Sequence, residues 1–494
     1  MKRISFFLCL IVATATAQNK FSIDNIYEVY LRSSGPIIEN KQVKGYFFLY
    51  ISDKVDRKTN HYTLRILDQN LNSVKSIEFD DAKEVTLVES SYNGNNIAFL
   101  FRNDKEHKMD IRIYGIDGKF KYTYNREYDV RSSGLLNVQN FLGDAEKANK
   151  MLFEVGDNGF VGIYPVIEGM RKITYEVDFY SSTQQKKWTY IPQDDEPFAN
   201  ATFLGFTDKA VLLNAVTRSN TSSKAKVSNT ITAINLDNNR KMFEINTVSD
   251  KMMILPSLVI KESENGVYTV AGLYVDEDAY ESARSANSKQ THGIAFSSFN
   301  EKGVVLKRYF NSWQEGLSKY IKVNKNGILE NFGYLMFQNL ISYNGNLFVI
   351  GEGYDKKLVT DMIVIEVNSD RKISNAQIFP KTHNAVGNLD NSFMVSMETN
   401  ATIAKMMGEF DYRFSNFGIS GFSVVYEDFL RKNKKDDFAI SVINYREGKF
   451  STEKIKLSSK ADLTEIYPAK LGFVMIVEYF KKEKKLDMRL EKMD

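Results

Sequence analysis

Runs in which every second residue is apolar recur along this chain in pairs, each pair joined by a short polar turn. YTLRILDQNLNSVKSIEF from Tyr62, MDIRIYGIDGKFKYTY from Met109 and NTITAINLDNNRKMFEI from Asn229 are three such pairs. HGIAFSSFNEKGVVLKRYF from His292, DMIVIEVNSDRKISNAQIF from Asp361 and FAISVINYREGKFSTEKIKL from Phe438 are three more. A period of two puts one set of side chains on a buried face, and Asp, Asn and Gly supply the backbone angles of a tight reversal, so each pair predicts a β-hairpin. Another hairpin precedes most of them, as in VTLVESSYNGNNIAFLF from Val85 and FQNLISYNGNLFVIGEGY from Phe337. The repeating unit is therefore four antiparallel strands, A to D. Its second turns begin near Asp68, Asp117, Asp237, Asn300, Asn368 and Tyr445. The long gap after Asp117 holds a weaker copy, with KITYEVDFY from Lys172 and KKWTYIP from Lys187 as outer strands.

Four-stranded units at this period, with no helical repeat between them, predict an all-β fold, a β-propeller of antiparallel blades. The last unit supplies only LTEIYP, GFVMIVEYF and KLDMRLEKM, while FSIDNIYEVYL from Phe21 has no blade of its own. Pairing the strand around Ile26 to Leu31 with Lys485 to Lys492 would complete that sheet and close the ring without an open edge. This count gives eight blades, or seven if Leu389 to Leu457 is divided differently. Two smaller propellers or a stack of β-sandwiches are the competing arrangements. The pattern resembles secreted, propeller-like bacterial proteins of unassigned function. The resemblance implies a fold and no site residues, because no WD dipeptide, kelch double glycine or Asp-box is present.

The opening residues MKRISFFLCLIVATATAQ join Lys2 and Arg3 to an apolar stretch and an Ala15-Thr16-Ala17 site, which reads as a signal peptide over residues 1–17. Residues 18–494 are then one propeller domain, exported to the periplasm or beyond. The single cysteine, Cys9, lies in the leader, so the mature chain has no disulfide and no cysteine metal ligand. Without the leader, 63 basic side chains face 62 acidic ones, which gives no field to attract nucleic acid. No later apolar stretch predicts a transmembrane segment. Nothing in the pattern selects an oligomeric state.

The long connections, among them Ser52 to Asn60, Glu127 to Lys150, Thr217 to Lys226, Asn311 to Tyr334 and Lys381 to Phe414, are all B–C or D–A in this lettering. They should share one face, where binding residues collect on a rigid scaffold. Ser312-Trp313-Gln314-Glu315 reads as a capping box, followed at helical spacing by Leu317, Tyr320 and Ile321. Ile403, Met406, Met407 and Phe410 predict a second short helix, as lid or plug. The ligand-binding candidates on that face are Trp313, Tyr280, Tyr320 and His383. His61, His107, His292 and His383 have no metal-ligand spacing, and no cofactor motif occurs. The function that follows is a non-catalytic binding or scaffold module for a protein, peptide or glycan. A hydrolase with carboxylates at the ring mouth and a structural cell-envelope component are the alternatives.

Overall fold

The computed structural model describes residues 20–141, 150–169, 172–193, 196–220, 227–263, 266–278, 291–324, 329–386, 397–418, 420–429 and 437–493. Among these residues the chain is all-β in a propeller-like array of seven sheets: four have four strands, two have five, and one eight-stranded sheet divides into two units of four, giving the eight units numbered below. The first comprises Glu28–Glu39, Gln42–Lys54, Thr59–Asp68 and Ser73–Ala82, and the second runs from Val85–Tyr92 to Phe120–Glu127. The third holds Leu152–Glu154, Gly159–Glu168, Lys172–Ser181 and Lys187–Tyr190. The fourth holds Phe198–Phe206, Ala210–Arg218, Val227–Asn235 and Lys241–Asn246, and one parallel bridge from Ile173 to Phe198 joins it to the third. The fifth begins at Met252–Ser263, the sixth at Tyr334–Tyr343 and the seventh at Tyr412–Phe417. Leu463–Pro468, Phe473–Phe480 and Lys485–Lys492 make three strands of the eighth.

The fourth strand of that last unit comes from the other end of the chain. Lys20–Ile23 pairs antiparallel with Lys485–Lys492, with Ser22 opposite Asp487 and Ile23 opposite Leu486. The expected partner was the segment from Ile26 to Leu31, and this is corrected: Glu28–Glu39 is the first strand of the first unit. Asn25, at φ 62°, divides the two strands, a left-handed conformation that Asn tolerates better than most residues. Ile26 between them is fully buried with Met475, Val477 and Leu486 of the eighth unit and Tyr46 and Phe48 of the first.

The alternation works as the sequence implies, with apolar cores lying between successive sheets. Phe47 of the first unit meets Phe99 of the second edge-on at 5.9 Å, and Phe348 of the sixth meets Phe422 of the seventh at 4.9 Å. Leading strands of neighbouring units lie against one another, including the first against the eighth. The turns are mostly tight. Asn344-Gly345 and Glu447-Gly448 place both central residues at positive φ, the reversal whose twist matches the flanking strands. The connection read from Ser52 to Asn60 is only four residues long, since its strands extend to Lys54 and restart at Thr59.

Two helices lie in D–A connections. Helix α1, Val130–Phe141, falls within the long connection after the second unit and has no sequence signal. Helix α2, Met397–Met406, matches the second helical reading, and it is packed as a plug: Ala401 and Ala404 are fully buried beside Tyr354, Val359 and Phe410. No helix among the described residues is long and apolar enough to cross a membrane.

Candidate ligand-binding site

The inner faces of the third and fourth units change character from one end to the other. Near the short turns, Val211 and Ile234 of the fourth unit oppose each other in register and join an apolar core with Val161, Val177 and Phe179 of the third. Two residues further along each strand the same face stays apolar only in part, because Leu213 is paired with Thr232. Beyond that row the large apolar side chains stop. Ala201, Ala215 and Thr230 form the next row, and Ala199, Thr217 and Ser228 the last. Period-two geometry sends all of these side chains toward the third unit.

Small side chains cannot fill the wedge between sheets, and hydroxyls cannot be sealed in it without partners. The result is a cleft of about 360 Å³ lined by Tyr175, Tyr190, Thr217, Ser228, Thr230 and Glu244, with Glu196 and Lys241 also contributing. The outer strand of the third unit, Lys187–Tyr190, is only four residues long and pairs with residues 177 to 180. Its shortness leaves the cleft open to the side, with Tyr190 at its edge. Thr230 Oγ1 and Thr232 Oγ1 lie 3.1 Å apart, and Lys241 Nζ is 2.8 Å from Glu244 Oε2. The cleft reaches from Lys241 beside the C–D turn to Thr217, Ser219 and Ser228 beside the B–C connection.

The residues singled out from sequence fare differently. Trp313 is only 3 % exposed and packs with Leu317, Leu273 and Phe296, so the exposed aromatic anchor expected there is corrected. Its indole Nε1 donates to Thr291 Oγ1 at 3.2 Å. One bond of the expected capping box forms, the Glu315 amide donating to Ser312 Oγ at 3.0 Å, but the chain then makes only a 3-10 turn, Leu317–Lys319, whose N-cap is Gly316 with no side-chain cap. That turn drives Trp313 and Leu317 into the wedge between the fifth and sixth units. Tyr320 is exposed, and His383 is partly exposed with Nε2 3.0 Å from Asp361 Oδ1. Neither lines the cleft. Tyr280 lies outside the described residues.

Carboxylates do converge elsewhere, between the sixth and seventh units, and there the geometry is that of a latch. Glu352 is fully buried and accepts the amides of Asp411 at 3.0 Å and Tyr412 at 3.2 Å, where the seventh unit begins. The Lys381 ammonium, also buried, reaches Asp411 Oδ2 at 2.5 Å and Glu352 Oε1 at 3.2 Å. Asn384 Nδ2 donates to Asp411, and the Thr382 amide donates to Asp428 Oδ1 at 2.9 Å. Glu89 plays the same part between the second and third units, taking the Met151 and Leu152 amides at 2.9 and 2.6 Å while Arg32 pairs with it at 2.8 Å. In both places a buried carboxylate caps the first amides of the next unit. Among the described residues no group of His, Cys, Asp or Glu is arranged to hold a metal ion.

Burial pushes the Glu352 carboxyl up to about 7, against the attraction of Lys381, and Asp411 beside it is raised too. A carboxyl whose folded value exceeds its unfolded one of 4.5 holds its proton more tightly in the folded state. Its contribution to stability is fully present below that unfolded value and is lost as pH rises to about 7. Chemical denaturation between pH 5 and pH 8 should therefore show a falling stability, and Glu352→Gln should flatten that fall. An identical slope in the variant would assign the titration to another group.

The match to known proteins is at the level of family. Residues 1–359 and 356–494 match the Family of unknown function (DUF6770), and the chain belongs to that family. No curated protein matches. Among solved structures, one from a study of two prolyl endopeptidases shares 11% identity at a TM-score of 0.40, covering 92% of this chain and 55% of that one. The chain thus spans about half the length of that relative. The β-propeller domain of the Trilobed protease from Pyrococcus furiosus, with an open velcro topology, shares 10% identity at a TM-score of 0.38, covering 89% of this chain and 98% of that domain. Prolyl oligopeptidase B from Galerina marginata shares 9% identity at a TM-score of 0.39, covering 92% of this chain and 56% of that one.

Proposed function

We propose that this chain is an exported, non-catalytic binding module, a closed eight-bladed propeller that holds a glycan in the cleft between its third and fourth blades. One observation carries the reading. The face that elsewhere seals this wedge with apolar side chains turns, at one end, into Ala215 and the hydroxyl-bearing Thr217, Ser228 and Thr230, which line a cleft. Threonine and serine hydroxyls can both donate and accept, which suits the vicinal hydroxyls of a sugar. The ring of Tyr190 offers an aromatic surface for a sugar face, and the wall of strands holds all of these groups in fixed register. Export rests on the leader-like opening residues and on the lack of cysteine after Cys9.

Hydrolysis of such a glycan is the second reading, favoured by Glu196 and Glu244 lining the same cleft. Glu244 is already ion-paired with Lys241, which suits a fixed hydrogen-bonding role better than proton transfer. Titration calorimetry against a panel of soluble oligosaccharides separates the possibilities. Thr230→Val, which keeps shape and removes one hydroxyl, and Tyr190→Ala should each weaken binding by about tenfold. Product release that stops in Glu196→Gln would instead support hydrolysis. No saturable binding of any oligosaccharide, or binding unchanged in both cleft variants, would remove the proposal.

A further inference from the structure

A larger concavity lies on the opposite face, where the A–B turns of the first, seventh and eighth units come together. It encloses about 750 Å³, and among the described residues its lining includes Lys41, Arg446 and Lys470 but no Asp or Glu. The remaining wall mixes amide, hydroxyl and glycine positions with apolar ones, Phe417, Phe422 and Leu471 among them. The three cations come from three different units and are brought together only by the fold.

None of the three takes part in an ion pair among the described residues. Lys41 Nζ sits 4.8 Å above the Phe417 ring, across the boundary between the first and seventh units. Lys470 Nζ donates to the neutral Asn70 Oδ1 at 2.8 Å. The neighbouring carboxylate, Asp68, accepts the amides of Asn70 and Asn72 at 2.8 Å each and is attracted by Lys470 without forming an ion pair with it. The chain as a whole is nearly balanced, at 65 basic and 62 acidic side chains, so a cavity with three cations and no acid is a local departure. Like charges converging on one concave surface repel each other, and a bound anion relieves that repulsion. A guanidinium can also bind a carboxylate or phosphate through two parallel hydrogen bonds.

We propose that this cavity binds a small polyanion, a ligand carrying at least two carboxylate or phosphate groups. The site is independent of the glycan cleft, which it does not touch.

The experiment is titration calorimetry of the full chain with two probes, citrate and inorganic triphosphate, which sort carboxylate from phosphate chemistry. At least one should bind saturably, with one site per chain. Arg446→Ala should weaken that binding about tenfold, and raised salt should weaken it further. Lys41→Gly is the complementary variant. Lys41 lies at φ 61°, where glycine is at ease, so the variant should fold at least as well as the parent while binding less. Lys119→Ala, remote from the cavity, should leave binding unchanged. Failure of both probes to bind saturably, or equal binding by parent and the Lys41→Gly, Arg446→Ala double variant, would overturn the proposal.

Discussion

Lys381→Met should destabilise the protein by roughly 3–5 kcal/mol at pH 8, because it leaves two buried carboxylates without their counter-charge. The ammonium it removes is wholly buried and touches both Asp411 and Glu352. Methionine fills much of the same volume, so the loss measures charge and hydrogen bonding rather than a cavity. The deficit should shrink as pH is lowered toward 5. Both carboxyls are already raised by burial, and without the ammonium they rise further, so protonation rescues the variant where the parent gains less. Denaturant titrations at pH 5 and pH 8 check this. An equal deficit at both values would show that the lysine acts through packing alone.

The second large effect concerns the far end of the chain. Removal of residues 1–24 should lower the stability of the whole domain by about 3 kcal/mol or more, through the lost burial of one isoleucine and the loss of a ladder of backbone hydrogen bonds. Ile23 is 6 % exposed and belongs to the core shared by the first and eighth units. The deletion also uncovers the edge of Lys485–Lys492, a template for pairing with another chain, so the variant should aggregate more readily. Tyr467 Oη donating to Leu31 O at 2.6 Å still ties the eighth unit to the first, which limits the damage to one edge. A single melting transition at a reduced temperature is the expected observation. An unchanged transition would mean that the terminal strand contributes nothing to the ring.

Much of this architecture was legible because period-two alternation and turn chemistry are local properties. ISYNGNLFVIGEGY announces a strand, a reversal and a strand without reference to anything else, and Asn344-Gly345 adopts the implied turn. Helix α1 was not legible for the same reason. VRSSGLLNVQNF carries Gly134 and two serines and no apolar stripe, and what fixes it is packing, with Leu136 buried beside Tyr164 and Tyr128. Trp313 was misplaced because a local turn bond at Ser312 and an apolar spacing describe the chain's neighbourhood but not its depth in the wedge.

The closing strand was located to within a few residues and then assigned to the wrong segment. Phe21 and Ile23 give too short an alternation to stand out beside the longer run after Ile26. The carboxylate latches were invisible for another reason. Glu89 and Glu352 look like ordinary polar positions in strands, and only the next unit's arrival supplies the amides they cap. The cleft was hidden likewise, since Thr217, Ser228 and Thr230 read as ordinary strand residues until the short outer strand of the third unit stops short of them.

A ring closed by its own two ends is the premise on which the rigid cleft and the cation-lined cavity both stand, and a disulfide tests it most directly. Ser22 and Asp487 are paired across the last sheet, with Ser22 Oγ donating to Asp487 Oδ1 at 2.6 Å. Directly opposed residues of an antiparallel pair lie within the span a disulfide bridges. In a chain starting at Gln18, which removes Cys9, the Ser22→Cys, Asp487→Cys variant has no other thiol. It should oxidise within the monomer to a single bridged species whose melting temperature exceeds that of its reduced form. Thiols that stay free under mild oxidation, or that bridge only between molecules, would contradict the closed ring.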